Sequence, residues 1–274
     1  MALTYGTIYG DFGDEKVTVT PSDTSPTAGD VDPNNGLVVG TRMILPDGRV
    51  FRYAFSNGAV GAGKGVQSSI ALANQDTDLA VSTSAAVGDK SVTITFGTSP
   101  NTDVTADQYA NGYLFVNDSG TSGAGEGHVY RIKGTGAHLA ADVSASPAVD
   151  INLQDGDTIA EALTAGQSQI GLVANPYQDV IITPGGAQTA RCVGYAAAEV
   201  ADNSYFWAQT WGEAALLAEG TLVIFRPIRV SETTAGAVEE YESNVDAEEQ
   251  VVGYATNLLA ATTEYQFAFL QIGA

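Results

Sequence analysis

Gly171-Leu-Val-Ala-Asn-Pro-Tyr-Gln-Asp-Val-Ile-Ile-Thr-Pro-Gly-Gly-Ala-Gln-Thr-Ala-Arg-Cys-Val-Gly-Tyr-Ala-Ala-Ala-Glu-Val-Ala-Asp-Asn-Ser-Tyr-Phe-Trp-Ala-Gln-Thr-Trp-Gly212 sets the fold class of this chain. Short apolar and β-branched runs (Gly171–Ala174, Val180–Thr183) alternate with the breakers Asn175-Pro176-Tyr177 and Pro184-Gly185-Gly186. Proline cannot donate to a sheet ladder and glycine supplies positive φ, so the breakers delimit short strands. Tyr205, Trp207 and Trp211 share parity, which predicts that both tryptophans lie on one face of one strand.

Part of this pattern recurs about sixty residues later. Val193-Gly-Tyr-Ala196 followed by Tyr205-Phe-Trp-Ala208 is matched by Val252-Gly-Tyr-Ala255 followed by Tyr265-Gln-Phe-Ala268. The expectation is a duplicated β-hairpin whose apolar faces pack together. Tyr205, Trp207, Trp211, Tyr265, Phe267 and Phe269 are then its candidate core or interface residues. Two copies fall short of the three or more that a solenoid usually needs.

Composition narrows the remaining choices. With 32 acidic against 11 basic residues the formal charge is −21, and the basic residues form no stripe. Such a surface repels phosphate backbones and disfavours nucleic-acid binding. A Gly-, Ala-, Thr- and Val-rich chain that is poor in Lys and Glu favours strands and tight turns over helices. The single cysteine, Cys192, excludes an intramolecular disulfide and reads as a small apolar strand residue. The first residues lack the basic and apolar regions of a secretion signal, and no apolar run approaches a membrane span. A soluble cytosolic product is expected.

In chain order, residues 1–36 read as an extended N-terminal arm, with strand-like pieces at 3–9 and 16–20 and a Pro/Asp/Gly-rich second half. Residues 37–186 form a β-rich region that opens with a hairpin, 38–45 and 49–55, around Pro46-Asp47-Gly48. Further strands are expected at 91–96, 113–117, 128–133, 149–153 and 169–174. Short helical pieces are expected near 68–73, 105–110 and 159–163. Residues 187–274 form a second β-rich region, carrying the duplicated aromatic hairpin and a long strand at 222–230. The whole is all-β: antiparallel sandwich or barrel-like domains of short strands.

Each chemical motif has an ordinary reading that fits better. Gly58-Ala-Val-Gly-Ala-Gly-Lys64-Gly65 fits a phosphate-cradling loop, but Gly65 stands where the magnesium-binding Ser or Thr belongs, so a flexible loop is expected. His128 and His138, even with Glu126 and Asp142, match no familiar zinc spacing. Asp76-Thr-Asp78 and Asp155-Gly-Asp157 lack a twelve-residue calcium loop and read as turns. No Ser sits in G-x-S-x-G. Glu239-Glu240 and Glu248-Glu249 fall in an acidic connection expected to be solvated. The expectation is a non-enzymatic protein without metal or cofactor. The aromatic strand 205–211 is also weighed as a sugar-stacking platform.

Tyr113-Leu-Phe-Val-Asn-Asp118, the Gly-rich turn after it, His128-Val-Tyr-Arg-Ile132, Gly171–Tyr177 and Tyr205–Gly212 together give the chain a likeness of style. Over roughly residues 105–274, and most sharply over 171–212, it resembles structural proteins encoded among tailed-bacteriophage head genes. The resemblance implies a virion component made in the host cytoplasm and decorating or cementing the capsid shell. Its partners would be the major capsid protein and copies of itself, without nucleic acid or membrane. A tail- or fibre-associated protein and a carbohydrate-binding β-domain are the alternatives.

Overall fold

The computed structural model describes residues 7–20, 32, 36–69, 75–96, 104–118, 125–136, 148–242, 250–257 and 263–273. Strands dominate, and the one helical element among these residues is a 3-10 turn, Asp14–Lys16. The chain divides into two compact units: among the described residues, 75–175 belong to one, and 7–20, 32, 36–69 and those from Pro176 onward belong to the other. The boundary expected at 186/187 therefore falls inside the flanking unit.

The unit with residues 75–175 contains a closed antiparallel barrel of six strands. Its members are β5 (Leu79–Thr83), β6 (Ser91–Thr95), β7 (Tyr113–Asp118), β8 (Val129–Thr135), β9 (Ala148–Leu153) and β10 (Gln169–Val173), joined in the order β10-β5-β6-β9-β8-β7. Period-two alternation sends Val81, Val92, Ile94, Leu114, Val116, Ile132, Ile151, Ile170 and Leu172 into one core. Five of these strands lie where sequence alternation placed them. β5 was missed because Leu79 and Val81 stand alone in a Ser/Ala/Asp-rich stretch. The helical piece expected at 105–110 is a turn, and that at 159–163 is a bend ending in a β-bridge from Leu163 to Ala85. Ile159 and Leu163 instead donate to the carbonyls of Asp89 and Ala85, each at 2.9 Å. Of the piece expected at 68–73, residues 70–73 lie outside the described residues.

The other unit is an eleven-stranded, sandwich-like sheet. β1 (Thr7–Tyr9) pairs parallel with β2 (Arg42–Ile44), and β2 pairs antiparallel with β3 (Val50–Phe55). Of the expected arm, residues 7–9 thus belong to this sheet, and Val19 bridges Tyr205. Asp32 is buried and accepts a 2.6 Å hydrogen bond from the Tyr53 hydroxyl. Residues 21–31 and 33–35 lie outside the described residues.

The remaining strands of this unit repeat one five-strand plan. The first copy uses β3, β4 (Gly65–Gln67), β11 (Ile181–Ile182), β12 (Cys192–Ala196) and the first part of β13 (Tyr205–Leu217). The second uses the last part of β13, then β14 (Pro227–Val230), β15 (Val238–Glu240), β16 (Val251–Ala255) and β17 (Tyr265–Gln271). Register matches residue for residue: Ala196 faces Ala208 as Ala255 faces Ala268, and Phe55 faces Tyr205 as Leu217 faces Tyr265. Gly194 faces Val66 as Gly253 faces Ile228, each beside a bulge in which Val193 or Val252 is the extra residue. Parallel bridges Ser56↔Val180 and Ala218↔Val238 correspond as well. The hairpin duplication read from sequence is the visible part of this larger one. The barrel is inserted in sequence between β4 and β11 of the first copy.

Two expectations about the aromatic strands need correction. The hairpins do not meet face to face: β13 and β17 are neighbours in one sheet, paired from Trp211↔Gln271 to Leu217↔Tyr265. The two tryptophans also lie on opposite faces. Gln209 faces Phe51 while Trp211 faces Val50, so Thr210 is an extra residue that reverses the alternation. Gly212, at φ +91°, completes the bulge.

The strand expected at 222–230 is likewise divided. Only Pro227–Val230 is strand, because Phe225 turns the chain at φ +67°. Its equivalent in the first copy is Gly63, at φ +69°. The Gly63 amide donates to Ala196 at 2.7 Å as the Phe225 amide donates to Ala255 at 2.8 Å. A bulky residue in this left-handed region costs on the order of 1–2 kcal/mol. Phe225→Gly is therefore expected to stabilise the protein by about 1 kcal/mol. An unchanged or lower urea midpoint would contradict the assignment of strain.

Candidate functional site

An open cleft of about 440 Å³ lies within the eleven-stranded unit. Four pieces of chain line it: the 3-10 turn with Glu15 and Lys16, the β2–β3 turn with Asp47 and Arg49, the loop with Ala62 and Gly63, and the β17 residues Tyr265 and Phe267. Gln209, Glu213 and Ala215 on β13 line it as well.

The polar groups are held in place by one another. Arg49 Nε lies 2.6 Å from Asp47 Oδ2, and its Nη2 lies 3.5 Å from Glu15 Oε1. Glu15 is buried, and its other oxygen accepts the Gly13 amide at 2.7 Å. Slight burial pushes the Asp47 carboxyl upward, but its bonds to Arg49 outweigh this and hold it below its usual range. The Gln209 side-chain amide donates to the carbonyls of Trp211 and Glu213 at 3.2 and 2.8 Å. Those two bonds span the bulge. The bulge also places Gly212 against Arg49, where a Cβ would sit 3.0 Å from Arg49 Cγ.

The six aromatic candidates separate into three environments. Tyr205 and Trp207 are buried with Phe51, Tyr53 and Phe55. Tyr53 stacks on Tyr205 at 5.6 Å and 5°, and meets Trp207 at 4.7 Å. Trp211 and Phe269 are half-buried and meet edge to face at 5.4 Å; Phe269 also stacks on Tyr254 at 5.3 Å. Tyr265 and Phe267 are 51% and 47% exposed, so the core reading fails for both. β17 turns Gln266, Ala268 and Leu270 inward, the parity opposite to the aromatic one. Buried Tyr205 and Trp207 cannot serve as a sugar platform.

The glycine loop 58–64 is a tied turn. The Gly63, Lys64 and Gly65 amides donate to the carbonyls of Ala196, Gly61 and Gly236, so none of the three is turned toward a phosphate. Strand β4, not a helix, begins at Gly65. Residues 220–226 repeat the same turn without the motif. ATP titration is expected to give no calorimetric signal at micromolar concentrations, and micromolar affinity lost in Lys64→Ala would overturn this.

His128 Nδ1 lies 3.2 Å from the Tyr130 hydroxyl; His138 and Asp142 lie outside the described residues. Among the described residues no three His, Cys, Asp or Glu side chains gather as metal ligands. Asp155 pairs with Lys133 at 2.8 Å, and Asp157 accepts the Arg131 amide at 3.0 Å. Asp78 accepts from the Asn117 side-chain amide at 2.6 Å. Glu239 and Glu240 lie on β15 rather than in a solvated connection, 3.1 Å from Arg229 and 2.9 Å from Arg226. Glu248 and Glu249 lie outside the described residues.

Cys192 is fully enclosed beside Tyr195, and burial pushes its thiol up to about 12. The thiolate is the nucleophile, so native protein at pH 8 should resist alkylation while urea-unfolded protein reacts at once. Because the folded-state value lies above the thiol's ordinary 9.0, the stability contributed by keeping Cys192 protonated and buried is intact below about pH 9 and lost as pH rises toward 12. Rapid native labelling would contradict the burial.

No family model, curated protein or solved structure matches this chain.

Proposed function

We propose that this chain is a non-enzymatic structural component of a tailed-bacteriophage particle, decorating or cementing the capsid shell through subunit contacts. The observation that carries the contact role is the loop Val223-Ile224-Phe225. These side chains are 39%, 41% and 77% exposed. The equivalent loop of the first copy is Gly61-Ala62-Gly63, over which the second copy is built. Gly63 lies against the Tyr265 ring, and its carbonyl accepts the Leu217 amide at 2.9 Å. At the end of a duplicated array an outer face is ordinarily polar. Here three consecutive large apolar residues stand in that place, one of them held in a strained conformation. Exposed apolar surface of this kind marks protein contacts.

Two further features support the reading. Among the described residues β1 is an edge strand, ending in the exposed Tyr9, and the exposed Phe12 follows it. A charge of −21 disfavours a position facing packaged nucleic acid and suits the outside of a shell. The virion assignment itself rests on the resemblance of 105–274 to head-gene structural proteins.

The test uses particles that lack the protein. Added full-length chain should co-sediment with them, and density for it should lie on the shell. Phe225→Ser, which keeps the fold, should weaken co-sedimentation about tenfold or more, the loss expected for a buried aromatic anchor. Density on the tail would favour the tail-associated alternative. Absence from the particle would overturn the proposal.

A further inference from the structure

We infer that the cleft between the β2–β3 turn and β17 is a binding site for a neutral saccharide. This inference is independent of the assembly role, since it concerns a different surface. Three properties of the cleft carry it.

First, it presents two open aromatic side chains, one of which is supported from behind. A Cβ on Gly63 would sit 2.6 Å from Tyr265 Cε1 and 2.7 Å from the Ala215 carbonyl oxygen. The tyrosine ring therefore lies against backbone on one side and still keeps half its surface open. Phe267 follows on the same face of β17, two residues along and similarly open. A ring backed by rigid chain, as Tyr265 is, loses little entropy when a pyranose stacks its C–H face on it.

Second, the polar groups beside these rings are fixed before any ligand arrives. Asp47, Arg49 and Glu15 form one bonded chain. The Gln209 nitrogen is committed to two carbonyls, so Oε1 is the side that can accept. Glu213 is steadied by the Thr256 hydroxyl at 3.3 Å. Carboxylate oxygens, guanidinium N–H groups and an amide oxygen beside these aromatic side chains are the acceptors and donors that vicinal hydroxyls require.

Third, the local charge nearly cancels. Glu15, Asp47 and Glu213 face Arg49 and Lys16, three negative against two positive, in a chain whose formal charge is −21. Near-neutrality inside a strongly acidic molecule favours an uncharged ligand over a sulfated polymer or a quaternary ammonium. The volume lies within the roughly 300–1,000 Å³ of small-molecule sites.

The experiment is calorimetric titration of the full chain with maltohexaose, cellohexaose, chitohexaose and a β-1,4-galactan oligomer, with dextran sulfate and choline as charged comparisons. At least one neutral oligosaccharide should bind saturably. Tyr265→Ala and Phe267→Ala should each weaken that binding about tenfold or more, with circular dichroism and urea midpoint close to the parent. Phe225→Ser, an exposed aromatic outside the cleft, should leave it unchanged. Absence of binding by all four neutral probes, a response to the charged compounds alone, or binding that survives both cleft variants would overturn the inference. Loss of particle binding in Phe225→Ser with saccharide binding intact separates this site from the assembly surface.

Discussion

Trp207→Ala should destabilise the eleven-stranded unit by about 3–5 kcal/mol. The indole is buried in the cluster of Met43, Leu45, Phe51, Tyr53, Phe55 and Tyr205, and it sits 4.7 Å from Tyr53. Removing it leaves a void bounded by rings on neighbouring strands, which cannot close without shifting the β3–β13 ladder. Typical domains are stable by only about 5–15 kcal/mol, so poor soluble expression is an acceptable form of the result. The remaining Trp211 reports on the same unit, and its fluorescence should follow unfolding at a much lower urea concentration. Trp211→Ala is the internal comparison. That ring is half-buried on the opposite face, and its loss should cost about 1 kcal/mol, near the centre of ordinary substitutions. Equal midpoints for the two variants would refute the division made by the bulge.

Gly253→Val should be as damaging for a different reason. Gly253 sits opposite Leu270, and a Cβ there would overlap the Phe269 carbonyl oxygen and crowd the Leu270 Cα at 3.1 Å. Backbone atoms of a paired strand cannot rotate aside as a flexible side chain can, so the β16–β17 ladder must open. The expected cost is at the upper end of overpacking, about 3 kcal/mol or more. Gly194, its equivalent, is crowded by the Ala208 side chain and the Gln209 carbonyl oxygen, at 2.9 and 3.0 Å. Gly194→Ala should therefore be milder than Gly253→Ala. Thermal melts of the two alanine variants check the ranking, and a reversed order would contradict the register assigned to the second copy.

Local pattern alone determined the all-β class, most of the barrel strands and the kinship of the two Val-Gly-Tyr-Ala hairpins. Those features depend on period-two alternation and on turn residues, which act over a few neighbouring positions. The same locality explains what sequence could not decide. A single extra residue, Thr210, reverses the faces of β13, so parity counting places Trp211 with Trp207; the repeated hairpin, in turn, assigns Tyr265 and Phe267 to a core they do not enter. The larger duplication was hidden because Gly61-Ala62-Gly63 and Val223-Ile224-Phe225 share backbone geometry and almost no side-chain character. Long-range pairing settled both points. Strand β17 covers the first loop and leaves the second exposed, and the ladder between β13 and β17 fixes which aromatic side chains face the cleft.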